Sequence, residues 1–217
     1  MTQHCSSPHS FESATPTIED GEQPVFRVGV VADTHIPDRV GDLHPMIVPL
    51  LKEAGVNHIL HAGDISTKRV LDLLQEAAPV TAVRGNRDFF AGPLEMVQQV
   101  TFGSCQIALM HGHHGLFSYL WDKWKYWRYG YELNRYLSEL VRLSGDAQVI
   151  VFGHTHYAEI ILHDGKMIFN PGSASFGNRS ARLPSIGLLS IYSSGRVEAK
   201  IIPLEGYRRI RWGWHKI

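Results

Sequence analysis

Val25-Phe26-Arg27-Val28-Gly29-Val30-Val31-Ala32-Asp33-Thr34-His35 is an apolar, β-branched run that breaks off into polar residues. A run with so little alternation reads as a strand buried on both faces. Its carboxyl end delivers Asp33 and His35 into a loop. The pattern then recurs. His58-Ile59-Leu60-His61 predicts a second short strand ending in Ala62-Gly63-Asp64, and Val80-Thr81-Ala82-Val83 a third ending in Arg84-Gly85-Asn86-Arg87-Asp88. Between them, Leu43 to Ala54 and Ser66 to Ala78 carry helical spacing, the second turning Val70, Leu71, Leu73, Leu74 and Ala77 toward a core. Strands alternating with helices, with polar residues at strand carboxyl ends, predict an α/β sheet whose ligands sit beyond that edge.

The second half is richer in strands. Val97 to Phe102 and Gln106 to Met110 predict a hairpin around Gly103-Ser104, ending at His111-Gly112-His113-His114. Gln148 to Phe152 predicts a buried strand that ends in Gly153-His154-Thr155-His156. Tyr157 to His163 and Lys166 to Asn170 flank Asp164-Gly165, a hairpin signal. Ile186 to Tyr192 and Val197 to Ile202 close the pattern around Ser194-Gly195. A helical, aromatic-rich insertion over 116–144 carries Trp121, Trp124 and Trp127 interleaved with Lys123, Lys125 and Arg128. It is expected to pack on the body or form a homo-oligomer contact, with a substrate lid as the next reading.

Composition bounds the rest. The chain has 217 residues, 44% of them hydrophobic, enough for one domain with a substantial core. That domain is expected over 25–205. Residues 1–24 hold Glu12, Glu19, Asp20 and Glu22 with no Lys or Arg and read as a disordered acidic tail. Residues 206–217 form a basic, aromatic C-terminal tail. Lys+Arg and Asp+Glu balance at 21 each, which argues against an obligate nucleic-acid binder with a uniformly basic face. No apolar run approaches the ~20 residues of a membrane span, and no secretory signal is apparent. A cytoplasmic protein is expected. The 2 cysteines cannot build a disulfide framework, whereas the 13 histidines outnumber the phenylalanines.

The chemistry gathers at five strand ends: Asp33 and His35, Asp64, Asn86, His111, then His154 and His156. Carboxylate, amide oxygen and imidazole together suit Mn2+ first, with Fe, Zn2+ or Ni2+ also accommodated, and the absence of cysteine disfavours a structural zinc site. Asp-x-His and His-x-His put alternate side chains on one side of an extended segment, so each pair approaches a shared locus from one direction. Seven ligands are too many for one ion and about right for two divalent metal ions bridged by a carboxylate. Asp64, from a central strand, is the natural bridge.

The series Asp33-x-His35, Gly63-Asp64, Gly85-Asn86-x-Asp88, His111-x-His113 and Gly153-His154-x-His156 resembles the calcineurin-like metallophosphoesterase superfamily. It is most similar to the small bacterial and archaeal phosphodiesterases, with which it also shares Asn170-Pro171-Gly172-Ser173. The likeness spans roughly Val25 to Pro203. It implies a sandwich of two mixed β-sheets flanked by helices. Carried over by position, Asp33, His35, Asp64 and His156 would hold one metal, and Asp64, Asn86, His111 and His154 the other. The implied activity is hydrolysis of a small phosphate ester by a hydroxide held between the metals, without a covalent enzyme intermediate. The formal charge of two divalent ions exceeds that of Asp33 and Asp64, so a phosphoryl group is attracted without a basic surface.

One position departs from the family. Many members carry His between the Asn and the acidic residue, where it is thought to protonate the leaving group; here Arg87 stands there. A guanidinium does not release its proton in proteins, so Arg87 is expected to bind phosphate or form a structural ion pair. His113 becomes the candidate proton donor, and Asp88 an orienting group. The alternative to that donor is a preference for aryl leaving groups. His4, His9, His44, His58, His163 and His215 read as ordinary hydrogen-bonded residues, and Asn170 to Ser173 as a tight turn. The runner-up function is a non-catalytic protein-binding scaffold on the same fold.

Overall fold

The computed structural model describes residues 22–113, 133–176 and 183–217. The N-terminal tail up to residue 21 and most of the 116–144 insertion, with its three tryptophans, lie outside the described residues. Glu22, at the end of that tail, accepts hydrogen bonds from Ser193 Oγ and the Ser194 N–H at 2.8 and 3.2 Å.

Two five-stranded mixed sheets face each other. The first has the order β10-β9-β1-β2-β3, with β1 (Phe26–Val31), β2 (His58–His61) and β3 (Val80–Ala82) parallel, and β9 (Ser185–Ile191) and β10 (Val197–Pro203) antiparallel to their neighbours. The second has the order β4-β5-β6-β8-β7. Its β5 (Cys105–Met110), β6 (Val149–Val151) and β8 (Lys166–Pro171) are parallel, with β4 (Val97–Phe102) and β7 (Ala158–His163) antiparallel at the edges. Parallel neighbours end on the same side, so each sheet presents three carboxyl ends along one edge.

Burial explains the apolar runs. Val28 and Val30 of β1 meet Ile107, Leu109, Val149 and Val151 between the sheets, while Val31 and Ile59 face Leu51 and Leu74 on the outer side. Those last two come from α1 (Ile47–Glu53) and α2 (Lys68–Gln75). On the far side, Leu137 and Leu140 of α3 (Asn134–Ser144) cover Ala108, Ile150 and Phe152. Each fully buried Val, Leu or Ile contributes roughly 1.5–3 kcal/mol by leaving water. The result is a helix–sheet–sheet–helix stack, the two-sheet α/β sandwich that the resemblance implied.

One expectation changes and one gains detail. The first helix starts at Ile47 rather than Leu43, because Pro45 and the His44 side chain, which accepts the Met46 N–H at 3.2 Å, hold the preceding turn apart. The basic C-terminal tail is ordered as a hairpin, β11 (Tyr207–Ile210) against β12 (Gly213–Lys216). Among the described residues, no helix is long and apolar enough to cross a membrane.

Candidate metal centre

All seven expected ligands lie beyond the carboxyl ends of the parallel strands, and the structure brings them together. Asp33 and His35 follow β1, Asp64 follows β2, Asn86 follows β3, His111 follows β5, and His154 and His156 follow β6. Asp33, His35, Asp64 and His111 are buried, and Asn86, His154 and His156 are half-buried.

The side-chain atoms fall into two groups. In one, His156 Nε2 lies 3.3 Å from both Asp33 Oδ1 and His35 Nε2, and His35 Nε2 is 3.8 Å from Asp33 Oδ1. In the other, Asn86 Oδ1 is 3.1 Å from both His111 Nε2 and His154 Nδ1. Asp64 divides between them, with Oδ2 3.7 Å from His35 Nε2 and Oδ1 3.4 Å from His111 Nε2. Asp33 also reaches both sides: ligand atoms of Asp33, His35 and His156, and of Asp33, Asp64 and His111, lie within 4.8 Å of one another.

These residues fit a metal. Nitrogen and oxygen donors about 2.0–2.1 Å from a tetrahedral ion stand roughly 3.4 Å apart, close to the spacings above. Asp33 Oδ1 is buried and has no hydrogen-bond partner, a costly state for a carboxylate oxygen unless a cation faces it. His111 Nδ1 sits 2.7 Å from the Ala62 carbonyl, an atom that only accepts. Nδ1 therefore carries the proton, and the Nε2 lone pair points into the site.

Protonation follows from burial and neighbouring charge. Burial alone would raise Asp33, but His156, His111 and His35 outweigh it and hold its carboxyl below the usual range. Burial, opposed by His111 and reinforced by Asp33, pushes Asp64 up to about 6. Burial also drives His35 down to about 3, against the pull of Asp33, and carries His154 well below its ordinary value. Burial opposes protonation of His111 too, yet Asp64 and Asp33 raise it. His35 and His154 are thus neutral near pH 7, as metal ligation requires.

The backbone is bent to hold this cluster. Asp33, His35, Asp64, Ser66, His154 and His156 all have φ between 52° and 71°, a region costly for residues other than glycine. Two glycines permit the crowding. A Cβ on Gly85 would sit 2.1 Å from Asp64 N, and one on Gly63 would sit 2.8 Å from His111 Nδ1.

Asp88 does not face the cluster. Its Oδ2 accepts the N–H groups of Gly85 at 2.7 Å and Asp64 at 2.9 Å, and its Oδ1 accepts that of Ser66 at 2.6 Å. It positions the Asp64 loop, as an orienting group should. Arg87 lends its own N–H to Asp64 Oδ1 at 2.9 Å, while its guanidinium pairs with Asp38. The His113 ring lies 5.2 Å from that of His111 and 6.3 Å from that of His154.

The segment read as a tight turn does more than turn. Asn170 Nδ2 donates to the Gly153 carbonyl at 2.9 Å and to Thr155 Oγ1 at 3.0 Å. Ser173 Oγ and Ser175 Oγ both donate to the Asp33 carbonyl, at 3.0 and 2.8 Å. Phe176 stacks on His35 with ring centroids 5.6 Å apart and meets His156 edge-on at 4.8 Å. Ser175 and Phe176 carried no signal in the sequence, and Asn170-Pro171-Gly172-Ser173 was the only pointer to this brace.

Known proteins resemble this chain in sequence and fold. Residues 26–194 match the model of the calcineurin-like phosphoesterase superfamily domain. A probable metallophosphoesterase of Methanothermobacter thermautotrophicus is 32% identical over 81% of this chain and 91% of its own length. Another from Methanocaldococcus jannaschii is 28% identical over 82% and 81%. The structure of Vps29 from Entamoeba histolytica complexed with zinc superposes with a TM-score of 0.62 at 25% identity, covering 83% of this chain and all of that one.

Proposed function

The chain belongs to the calcineurin-like phosphoesterase superfamily, and from that premise we propose that it is a phosphodiesterase working with two divalent metal ions, manganese foremost. The observation that carries the reading is Asp33 Oδ1, a buried carboxylate oxygen with no hydrogen-bond partner. Asp33, His35, Asp64 and His156 would hold one ion, and Asp64, Asn86, His111 and His154 the other. Asp64 would serve both, because its two oxygens face different groups. Bound ions would supply Lewis acidity and a lowered pKa for water.

The chain's own residues do the rest. Asp88 fixes the Asp64 loop, and Asn170 fixes the His154 loop. The Ala62 carbonyl selects the His111 tautomer that leaves Nε2 for a ligand. With Arg87 unable to give up a proton and paired to Asp38, His113 at the rim of the His111 and His154 rings is the proton donor to the departing oxygen. Were His113 not to donate, aryl diesters, whose leaving groups need little protonation, would be turned over fastest.

The test is a metal-reconstituted screen of bis-aryl diesters, cyclic nucleotides, dinucleoside polyphosphates and monoesters, with Asp64→Ala as the blank. Metal-dependent hydrolysis of diesters is expected. Two bound metals with no hydrolysis of any ester would instead favour the protein-binding scaffold, a reading that draws on the likeness to Vps29.

A further inference from the structure

The C-terminal hairpin lies outside the residues that carry the family match, yet it is fastened to the body beside the metal centre. The Gly41 N–H donates to the Trp212 carbonyl at 2.7 Å, and the Trp214 indole N–H donates to the Asp42 carbonyl at 2.9 Å. The Trp214 ring meets the buried His44 ring at 4.4 Å, and Tyr207 meets it at 5.6 Å. Tyr207 and Arg209 share one face of β11, since alternate residues do. The face that docks on His44 therefore also carries Arg209, whose side chain stays exposed.

Arg209 ends over the Phe176 ring, its guanidinium carbon 5.4 Å from the centroid. Arg39, from the loop after β1, lies over the same ring at 5.1 Å. That ring is the one stacked on His35 and touching His156. Two guanidiniums thus stand one aromatic ring away from two candidate ligands. Arg87, Arg69 and Arg196 each pair with a carboxylate, but among the described residues neither Arg39 nor Arg209 does. Two like charges gathered on one ring, without a counter-ion, make a site for an anion. Guanidinium forks match phosphoryl oxygens in particular.

We propose that Arg39, Arg209 and Phe176 form a subsite for a second phosphoryl group, so that the substrate is a diphosphate-linked ester rather than a diester with a single phosphate. The inference rests on the phosphodiesterase reading of the metal centre, which receives the scissile group. Arg39 and Arg209 grip the phosphoryl group next to it, and the hairpin becomes a specificity element added to the family's core.

Calorimetric titration of the metal-loaded full chain with methylenediphosphonate, methylphosphonate and phosphonoacetate tests this without turnover. Wild-type protein is expected to prefer the diphosphonate to both others. Arg209→Gln and Arg39→Gln, on separate elements, should each cut that preference about tenfold, the loss of one charge-assisted contact. Arg208→Gln removes the same charge from the opposite face of β11 and should leave the preference intact. Equal effects of Arg208→Gln and Arg209→Gln, or no effect of either, overturn the proposal, as does equal binding of phosphonoacetate. A chain that hydrolyses diesters while its preference ignores Arg209 loses the subsite and keeps the phosphodiesterase reading. Arg209-dependent preference with no ester hydrolysed supports the subsite and sinks that reading.

Discussion

The two sheets bring unlike chemistry to one cluster. The first ends in Asp33, His35, Asp64 and Asn86 and so supplies every carboxylate. The second ends in His111, His154 and His156 and supplies imidazoles alone. Their bracing is also unequal. Asp88 braces the Asp64 loop from within the first sheet. The ligand loops of the second sheet lean on the first, with the His111 ring on the Ala62 carbonyl and the His154 N–H on Asp33 Oδ2 at 3.1 Å. Bracing also runs the other way, from Ser173 and Ser175 beyond β8 to the Asp33 carbonyl. The first sheet alone, however, carries the carboxylates that face both groups and is in that sense the frame. Damage to the frame should empty both proposed metal positions, whereas damage to the second sheet should empty one.

Asp64→Ala gives the largest expected effect. Removing the carboxylate between the two groups should reduce metal content toward zero and hydrolysis about a thousandfold, the scale of several kcal/mol of lost charge stabilisation. His154→Ala should retain one ion per chain. Elemental analysis alongside diester turnover checks both; one ion lost from each variant would abolish the asymmetry. Gly85→Ala comes next. Its Cβ would press on Asp64 N and Oδ1 at 2.1 and 2.2 Å. Overpacking of this kind costs about 1–3 kcal/mol, and a thermal melt should show the loss together with weakened metal binding.

How much of this frame could be read from the sequence depends on how local its causes are. The β1 run was legible because a strand buried on both faces needs an unbroken apolar run, and Asp33-x-His35 because period-2 alternation aims both side chains one way. The five strand ends were legible for the same reason. Helix limits were not: Ser66 fits helical spacing, but the Asp88 carboxylate holds its N–H, and its φ of 71° ends any helix there. Asn170 looked like part of a turn because its partners, Gly153 and Thr155, stand on another loop. The C-terminal hairpin turns at Arg211 and Trp212, with Arg211 at a φ of 55° and none of the Asn-Gly chemistry that advertises such turns.

The braces offer a finer version of the comparison. Asp88→Asn keeps the shape but loses the charge and at least one of the three accepted N–H bonds. Removing such support typically lowers metal affinity 10- to 100-fold. Because Asp88 serves the frame, both ions should dissociate at lower chelator concentration. Asn170→Ala, which loosens only the His154 loop, should weaken a single ion. Chelator titration followed by residual metal content separates a uniform loss from a one-site loss.

The smallest effect is expected on the outer flank of the first sheet, where the hairpin covers His44. That ring is 1% exposed, its Nδ1 accepts the Met46 N–H, and its Nε2 has no partner. Burial lowers its pKa to about 4. The folded chain therefore keeps His44 neutral where an unfolded chain, with a histidine pKa near 6.5, binds a proton. Its contribution to stability is complete above about pH 6.5 and is lost as pH falls toward 4, at roughly 1 kcal/mol per pH unit. Urea unfolding at pH 7, 6 and 5 should show a steeper loss for wild-type protein than for His44→Gln, which cannot take up the proton. Parallel losses in the two proteins would mean that the hairpin does not keep His44 dry, and with it would go the rigid docking that carries Arg209 toward Phe176.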